Sequence, residues 1–255
     1  ASRQYGSWAS PSTNPVKVDQ IGLGSYVVHF PLIGGPGGIA HATAVSSSAR
    51  WCQIADWKPV GSGQDVYVTC YLPSGAPANS TAWLPGLGQA THAGNLQATA
   101  VDPKQGARCK VSDWAPGTAG QTVVVACYNA SDVPYDTEWT LSYSYQRAVH
   151  GPAFPPRSFG YLWYNGSLPA LTNYNSSGAT NTLGGSGAPF VVSLPSIAVP
   201  SDTAQVTAYG KSPEYCGLHT PWDRAGGTVR LYVACFGPGG APVKTPFFAA
   251  YTSAR

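Results

Sequence analysis

Apolar and polar residues alternate along this chain in short runs. The runs DVYVTCYL (65–72), QTVVVACY (121–128) and TVRLYVACF (228–236) each place an apolar residue at every second position. That period puts one set of side chains on one face of a strand. The runs are rich in Val, Tyr and Phe and are bounded by Gly, Pro, Asn and Ser, as strands and their turns are. No window of 11 or more residues keeps a 3.6-residue period free of Gly and Pro, so no helix is expected. The pattern predicts an all-β chain.

Three of the predicted hairpins share one spacing. Cys is followed by Cys after 18, 18 and 19 residues (52 to 70, 109 to 127, 216 to 235). A Trp follows the first Cys by 5, 5 and 6 positions (Trp57, Trp114, Trp222). Apolar residues stand four and two before the second Cys: Val66 and Val68, Val123 and Val125, Leu231 and Val233. A Pro comes seven after it (Pro77, Pro134, Pro242), then an aromatic residue (Trp83, Trp139, Phe247). A register kept three times indicates internal repetition. Each repeat reads as four strands, the last carrying that aromatic. Alternation ending in Cys puts the Cys on the face of the two apolar residues before it, within reach of a Cys on the neighbouring strand. Three disulfides are expected: Cys52 with Cys70, Cys109 with Cys127, and Cys216 with Cys235.

A second, plainer unit is suggested by PFVVSLPSI (189–197), which resembles YVVHFPLI (26–33), and by FGYLWYN (159–165), which resembles QYGSWAS (4–10). The chain then divides into units of about 1–33, 40–84, 96–146, 158–197 and 203–253 within a single repeat domain, 1–255. Four short strands per unit and about 51 residues per unit (255/5) fit blades of a propeller. A five-bladed β-propeller is the leading expectation. Tandem β-sandwich domains and a β-prism-like arrangement of three sheets are the alternatives.

Composition adds the compartment. Only 10% of the residues are charged and the net charge is +3, with no Lys/Arg run, so no nucleic-acid footprint is expected. Six Cys in evenly spaced pairs indicate an oxidising, extracellular location. There is no Met, and the chain begins Ala-Ser-Arg, as a mature protein does after signal removal. No run of 18 apolar residues occurs, so no membrane span is expected.

Candidate chemistry is sparse. There are two Glu and nine Asp; Asp56 and Asp113 recur just before the Trp, which indicates a structural role. No G-x-S-x-G elbow is present, and the five His (29, 41, 92, 150, 219) lack a metal-ligand spacing. Neither metal nor cofactor is expected, and no catalytic residue is assigned. The unrepeated aromatics stand out instead: Tyr161, Trp163, Tyr164 and Asn165 in YLWYN, and Trp8 in YGSW. In a strand Trp163 projects opposite to Tyr164. Aromatic faces beside small polar residues suit stacking on sugar rings, so these five are the candidate ligand-binding residues.

The motif of TAV or TAY, then RC or YC, the Trp, the alternating strand into Cys and the AP or VP before the last aromatic resembles tandem modules of uncharacterised secreted actinobacterial proteins. The resemblance implies secretion and β-structure, and no activity. The favoured function is a secreted, non-enzymatic, lectin-like binder of extracellular glycans. A protein-binding inhibitor or cell-surface structural factor is one alternative. A secreted glycoside hydrolase, which would need two carboxyl groups about 5–9.5 Å apart, is the other.

Overall fold

The computed structural model describes residues 16–22, 24–32, 34, 40–47, 49–71, 77–85, 88–101, 106–146, 158–168, 172–185, 189–200 and 202–253. Among these the chain is all-β. The strands are β1 (Lys17–Gly22), β2 (Ser25–Phe30), β3 (Trp51–Val60), β4 (Gly63–Tyr71), β5 (Pro77–Pro85), β6 (Asn95–Val101), β7 (Arg108–Ala115), β8 (Gly120–Tyr128) and β9 (Glu138–Ser144). They continue as β10 (Phe159–Tyr164), β11 (Thr172–Asn175), β12 (Thr182–Gly184), β13 (Phe190–Leu194), β14 (Asp202–Ala208), β15 (Tyr215–Leu218), β16 (Asp223–Ala225), β17 (Thr228–Phe236) and β18 (Phe247–Ser253). A single 3₁₀ turn at Pro238–Gly240 is the one other regular element among the described residues.

The three Cys-bearing segments form hairpins β3–β4, β7–β8 and β15–β17. In each the two Cys are direct cross-strand partners and are bonded, with Cα atoms 4.0 Å apart. The recurring Asp before Trp has a structural cause. The ladder skips a residue between Ile54 and Asp56 and between Val111 and Asp113. This bulge bends the strand and re-aims the side chains that follow. Asp113 supports it, its Oδ1 accepting from the Trp114 amide at 2.9 Å. In the third hairpin a break between β15 and β16 replaces the bulge, which accounts for the one extra residue before Trp222.

Each hairpin receives a third strand on its second-Cys side: β2 on β4, β5 on β8 and β13 on β17. The registers correspond. Tyr26 and Val28 face Val68 and Val66; Phe190 and Val192 face Val233 and Leu231; Ser80 and Ala82 face Val125 and Val123. Hence YVVHFP (26–31), STAWLP (80–85) and FVVSLP (190–195) hold equivalent places. The kinship of the YVVHFP and FVVSLP segments therefore has a pairing counterpart. Strand β5 lies in the stretch expected to end the first Cys repeat. It does not close the first Cys repeat; it pairs with the second hairpin, and Trp83 stands at the register place of His29 and Ser193 rather than that of Trp139 and Phe247.

Parallel contacts link the hairpins in a cycle. Ile54, Val111 and Leu218 each lie two residues after the first Cys. They meet Val101, Tyr209 and Val45, each contributed by the stretch that leads into a different hairpin. Gly210 N donates to Val111 O at 3.0 Å, and Ser46 N donates to Leu218 O at 2.8 Å, the same bond at two places.

The sheets differ from a five-blade plan. Their orders are β1-β2-β4-β3-β6-β9, β11-β10-β18-β14, β12-β13-β17-β15 with β16 on β17, and β5-β8-β7. In the second and third Cys repeats the first and last strands pair with each other, β6 with β9 and β14 with β18, while their hairpins pair elsewhere; in the first repeat the expected first strand, 40–45, makes only the isolated bridge at Val45. The reason is that the first strand of a repeat is drawn to the last strand after its hairpin, leaving the hairpin to take an upstream strand.

Two main cores result. Leu162, Tyr164, Phe190, Leu194, Leu231 and Phe247 pack in one; Leu96, Trp114, Val123, Val125, Trp163 and Phe248 pack in the other. The neighbours Phe247 and Phe248 enter different cores because alternate residues of β18 face opposite ways.

Candidate functional site

The second core supports a cleft of about 180 Å³ lined by His92, Ala93, Gly94, Tyr145, Gln146, Tyr161, Asn173 and Tyr174. Strand β10 supplies Tyr161. Its register partner on β11 is Tyr174, and the two rings stack with centroids 5.6 Å apart and planes 25° from parallel. Directly opposed aromatics on one sheet face normally pack in this way. The Phe159 ring also packs on Tyr174, with centroids 5.5 Å apart.

Strand β11 is short and is held by side-chain amides. Asn181 Nδ2 donates to Tyr174 O at 2.9 Å and to Tyr161 O at 3.2 Å. Asn175 Nδ2 donates to Asn181 Oδ1 at 2.8 Å and to Pro195 O at 2.9 Å. Asn173 Nδ2 is committed to Asn181 O at 2.8 Å, which leaves its amide oxygen as the acceptor of that side chain. Four residues of strand would hold poorly by themselves; these bonds fix the Tyr174 wall.

The other wall follows β9. Tyr145 is 38% exposed at the rim. Gln146 turns with φ 49°, and its backbone N–H donates to the Tyr161 hydroxyl at 3.2 Å. Burial pushes the Tyr161 phenol up to about 12, so it stays protonated at neutral pH. The floor is rigid. Gly94 has φ 118°, and a Cβ there would sit 2.7 Å from the Tyr143 ring and 2.8 Å from Ser144 O. Tyr143 in turn donates to Ala93 O at 2.7 Å. His92 bonds through Nε2 to Trp114 O at 2.6 Å. A carbonyl only accepts, so Nε2 carries the proton. The His92 ring packs on Trp163 at 4.9 Å and on Trp114 at 5.0 Å.

The sequence-predicted residues separate accordingly. Tyr161 lines the cleft. Trp163, on the same face of β10, lies beneath it and is 2% exposed, stacked on Phe248 at 5.5 Å. Tyr164 points oppositely into the other core, against Phe190 at 5.3 Å, and is also 2% exposed. Asn165 is half-buried and its Oδ1 accepts from Ser167 N at 3.0 Å, shaping the turn after β10. Trp8 lies outside the described residues. Sequence reasoning missed His92, Tyr145, Gln146, Asn173 and Tyr174. The segments YSYQ (143–146) and NYN (173–175) carried the same aromatic-beside-amide signal as YLWYN.

No carboxylate, cation or nucleophile-base pair is among the lining residues. The cleft offers three tyrosines, two amides, an imidazole and backbone. Among the described residues no cluster of three His, Cys, Asp or Glu suited to a metal ion occurs, and no helix is long and apolar enough to cross a membrane. Comparison with protein-family models, with curated proteins and with solved structures finds no match.

Proposed function

We propose that this protein is an extracellular, non-enzymatic binder that recognises a neutral glycan through the Tyr145–Tyr161–Tyr174 cleft. The observation that carries the reading is the cleft lining: tyrosine rings and amides, with no formal charge. The C–H faces of a sugar ring are weakly positive and stack on the negative face of an aromatic ring. Its hydroxyls can pair with the phenols, with the Gln146 side-chain amide and with the Asn173 amide oxygen. A volume of about 180 Å³ is below the roughly 300–1,000 Å³ of pockets for drug-sized ligands, which suits one ring at the end of a chain. The lining lacks the paired carboxylates of a glycosidase, so the cleft favours binding over hydrolysis.

Secretion is part of the proposal. Three disulfides, each closing its own hairpin, persist in an oxidising compartment and are rare in a reducing one. We further read the chain as three copies of one unit around a pseudo-threefold axis, an arrangement nearer to the prism-like alternative than to a propeller. The three corresponding registers and the cycle of parallel contacts support that reading.

Screening against a glycan array, followed by calorimetric titration of each hit, tests the function. Micromolar to millimolar binding of neutral saccharides is expected, lost on Tyr174→Ala. Absence of binding to every saccharide class would defeat the proposal.

A further inference from the structure

The three hairpins enclose a second cavity, away from the tyrosine cleft. It measures about 40 Å³ and is lined by corresponding residues of all three: Cys52, Cys109 and Cys216, with Trp51, Arg108 and Tyr215 immediately before them. Ala42–Ala44, Ala98–Ala100 and Val206–Ala208 complete the wall, and each of these stretches carries a Thr at its centre.

We propose that this cavity binds a small monovalent anion, of halide or formate size, through Arg108 Nε, Trp51 Nε1 and the Tyr215 hydroxyl. These three atoms are buried and find no hydrogen-bond partner among the described residues. Their residues are 6%, 4% and 5% exposed. The first two can only donate and the third can donate, so the group that satisfies all three is an acceptor. Leaving buried donors unpaired is costly, and the surrounding rings raise that cost by excluding water.

The rest of Arg108 is already committed. Nη1 donates to Asn129 O at 3.0 Å, and Nη2 donates to Asp132 and to Pro213 O. Nε is therefore the guanidinium nitrogen left for a ligand. The charged side chains lining the cavity are two cations, Arg108 and Lys110, and one carboxylate, Glu214. Lys110 donates to Ser212 O at 2.6 Å and is paired with Glu214 at 3.3 Å, so it offers no free donor to the cavity. The cavity exceeds the roughly 10–15 Å³ one water needs and is too small for an organic ring. Size and donor set together select a compact anion.

Crystals of the whole chain grown with sodium bromide provide the direct test. An anomalous peak within about 3.5 Å of both Arg108 Nε and Trp51 Nε1 is expected. Density without anomalous signal, or no density, overturns the proposal. In solution, thermal midpoints are measured at matched ionic strength with bromide and with a bulky monovalent anion. Bromide alone should raise the midpoint, and equal shifts overturn the proposal. Trp51→Phe keeps a ring and removes the N–H; Tyr215→Phe removes only a hydroxyl. Each should weaken bromide about tenfold, as loss of one such bond does. If one variant does not fold, the other gives the answer, and unchanged bromide affinity in a folded variant overturns the proposal.

Discussion

The Arg108 guanidinium lies over the Trp51 ring, with its carbon 4.7 Å from the ring centroid. The same guanidinium is 4.9 Å from the Tyr215 ring and 5.5 Å from that of Tyr128. Trp51, Arg108 and Tyr215 each precede the first Cys of a hairpin, so one cation joins all three hairpins at a single point. Burial lowers the Arg108 pKa from its usual range, while Asp132 works against that shift. The ion pair and the stacked rings thus offset its desolvation.

Arg108→Met should therefore be strongly destabilising. It removes the partner of Asp132, whose side chain is 14% exposed. Breaking a buried pair from one side costs about 3–5 kcal/mol. Asp132→Asn added to Arg108→Met should recover part of the loss, because no carboxylate is then stranded. Urea denaturation of the two variants checks this. A single substitution costing under about 1 kcal/mol would show that the hub is not structural.

Disulfide removal should be felt at each hairpin separately. The bonds span 18, 18 and 19 residues. The chain-entropy model gives about 3 kcal/mol for loops of this size. Replacing any one pair of Cys by Ala should cost about that much, read as a lower midpoint in urea with intact bonds as reference. Equal midpoints for a pair variant and the parent would contradict it.

The all-β class and the bonded Cys pairs were legible because alternation and fixed spacing are local features. The place of β5 was not. In TAWLP the aromatic follows Pro77 by six residues, where Trp139 and Phe247 follow their Pro by five, and the strand's ladder partner is β8. Which neighbour takes a strand depends on competition among edges far apart in sequence. The candidate site was half legible. YLWYN marked the right strand, but alternation sends Tyr161 to the cleft and Tyr164 into a core, and only packing tells which face opens. The opposite wall, Tyr145 and Gln146, is brought up by the pairing of β9 with β6.

Two histidines should make stability respond to pH in opposite directions. His41 is held neutral: burial lowers its pKa to about 4, and Nδ1 lies 3.0 Å from Thr99 Oγ1. A base with a folded pKa below its unfolded value of about 6.5 is protonated more readily when unfolded. Its contribution is complete above pH 6.5, falls as pH drops, and is lost below about pH 4. The full span amounts to about 3 kcal/mol. His29 lies between Asp65, 2.6 Å from Nδ1, and Asp19, 3.2 Å from Nε2. The hydrogen bond it donates to Asp65 raises its pKa. Its contribution is present below pH 6.5 and disappears as pH rises through the raised value. NMR titration should show His41 titrating near pH 4 and His29 above 6.5. His41→Gln should flatten the acid limb, since Gln97 and Gln205 occupy the corresponding places and Gln97 already accepts from Thr207 at 2.8 Å. An unchanged acid limb in that variant would refute the assignment.

The tyrosine cleft allows affinity and stability to be separated. Tyr145 is 38% exposed, so Tyr145→Ala removes a stacking face while most of the core stays intact. Affinity for a neutral saccharide should fall at least tenfold, in line with truncation of an aromatic anchor, with a urea midpoint near the parent's. Gly94→Ala should lower stability as well. At φ 118° and with a Cβ 2.7 Å from the Tyr143 ring, it strains the backbone and displaces the ring under the cleft floor. A stability loss of about 1–3 kcal/mol is expected, with weaker saccharide binding alongside. Calorimetry and urea denaturation on both variants decide the matter. If Tyr145→Ala binds as well as the parent, the rim is not the ligand wall. If Gly94→Ala is fully stable, the floor is not held by the close approach of Gly94 to Tyr143.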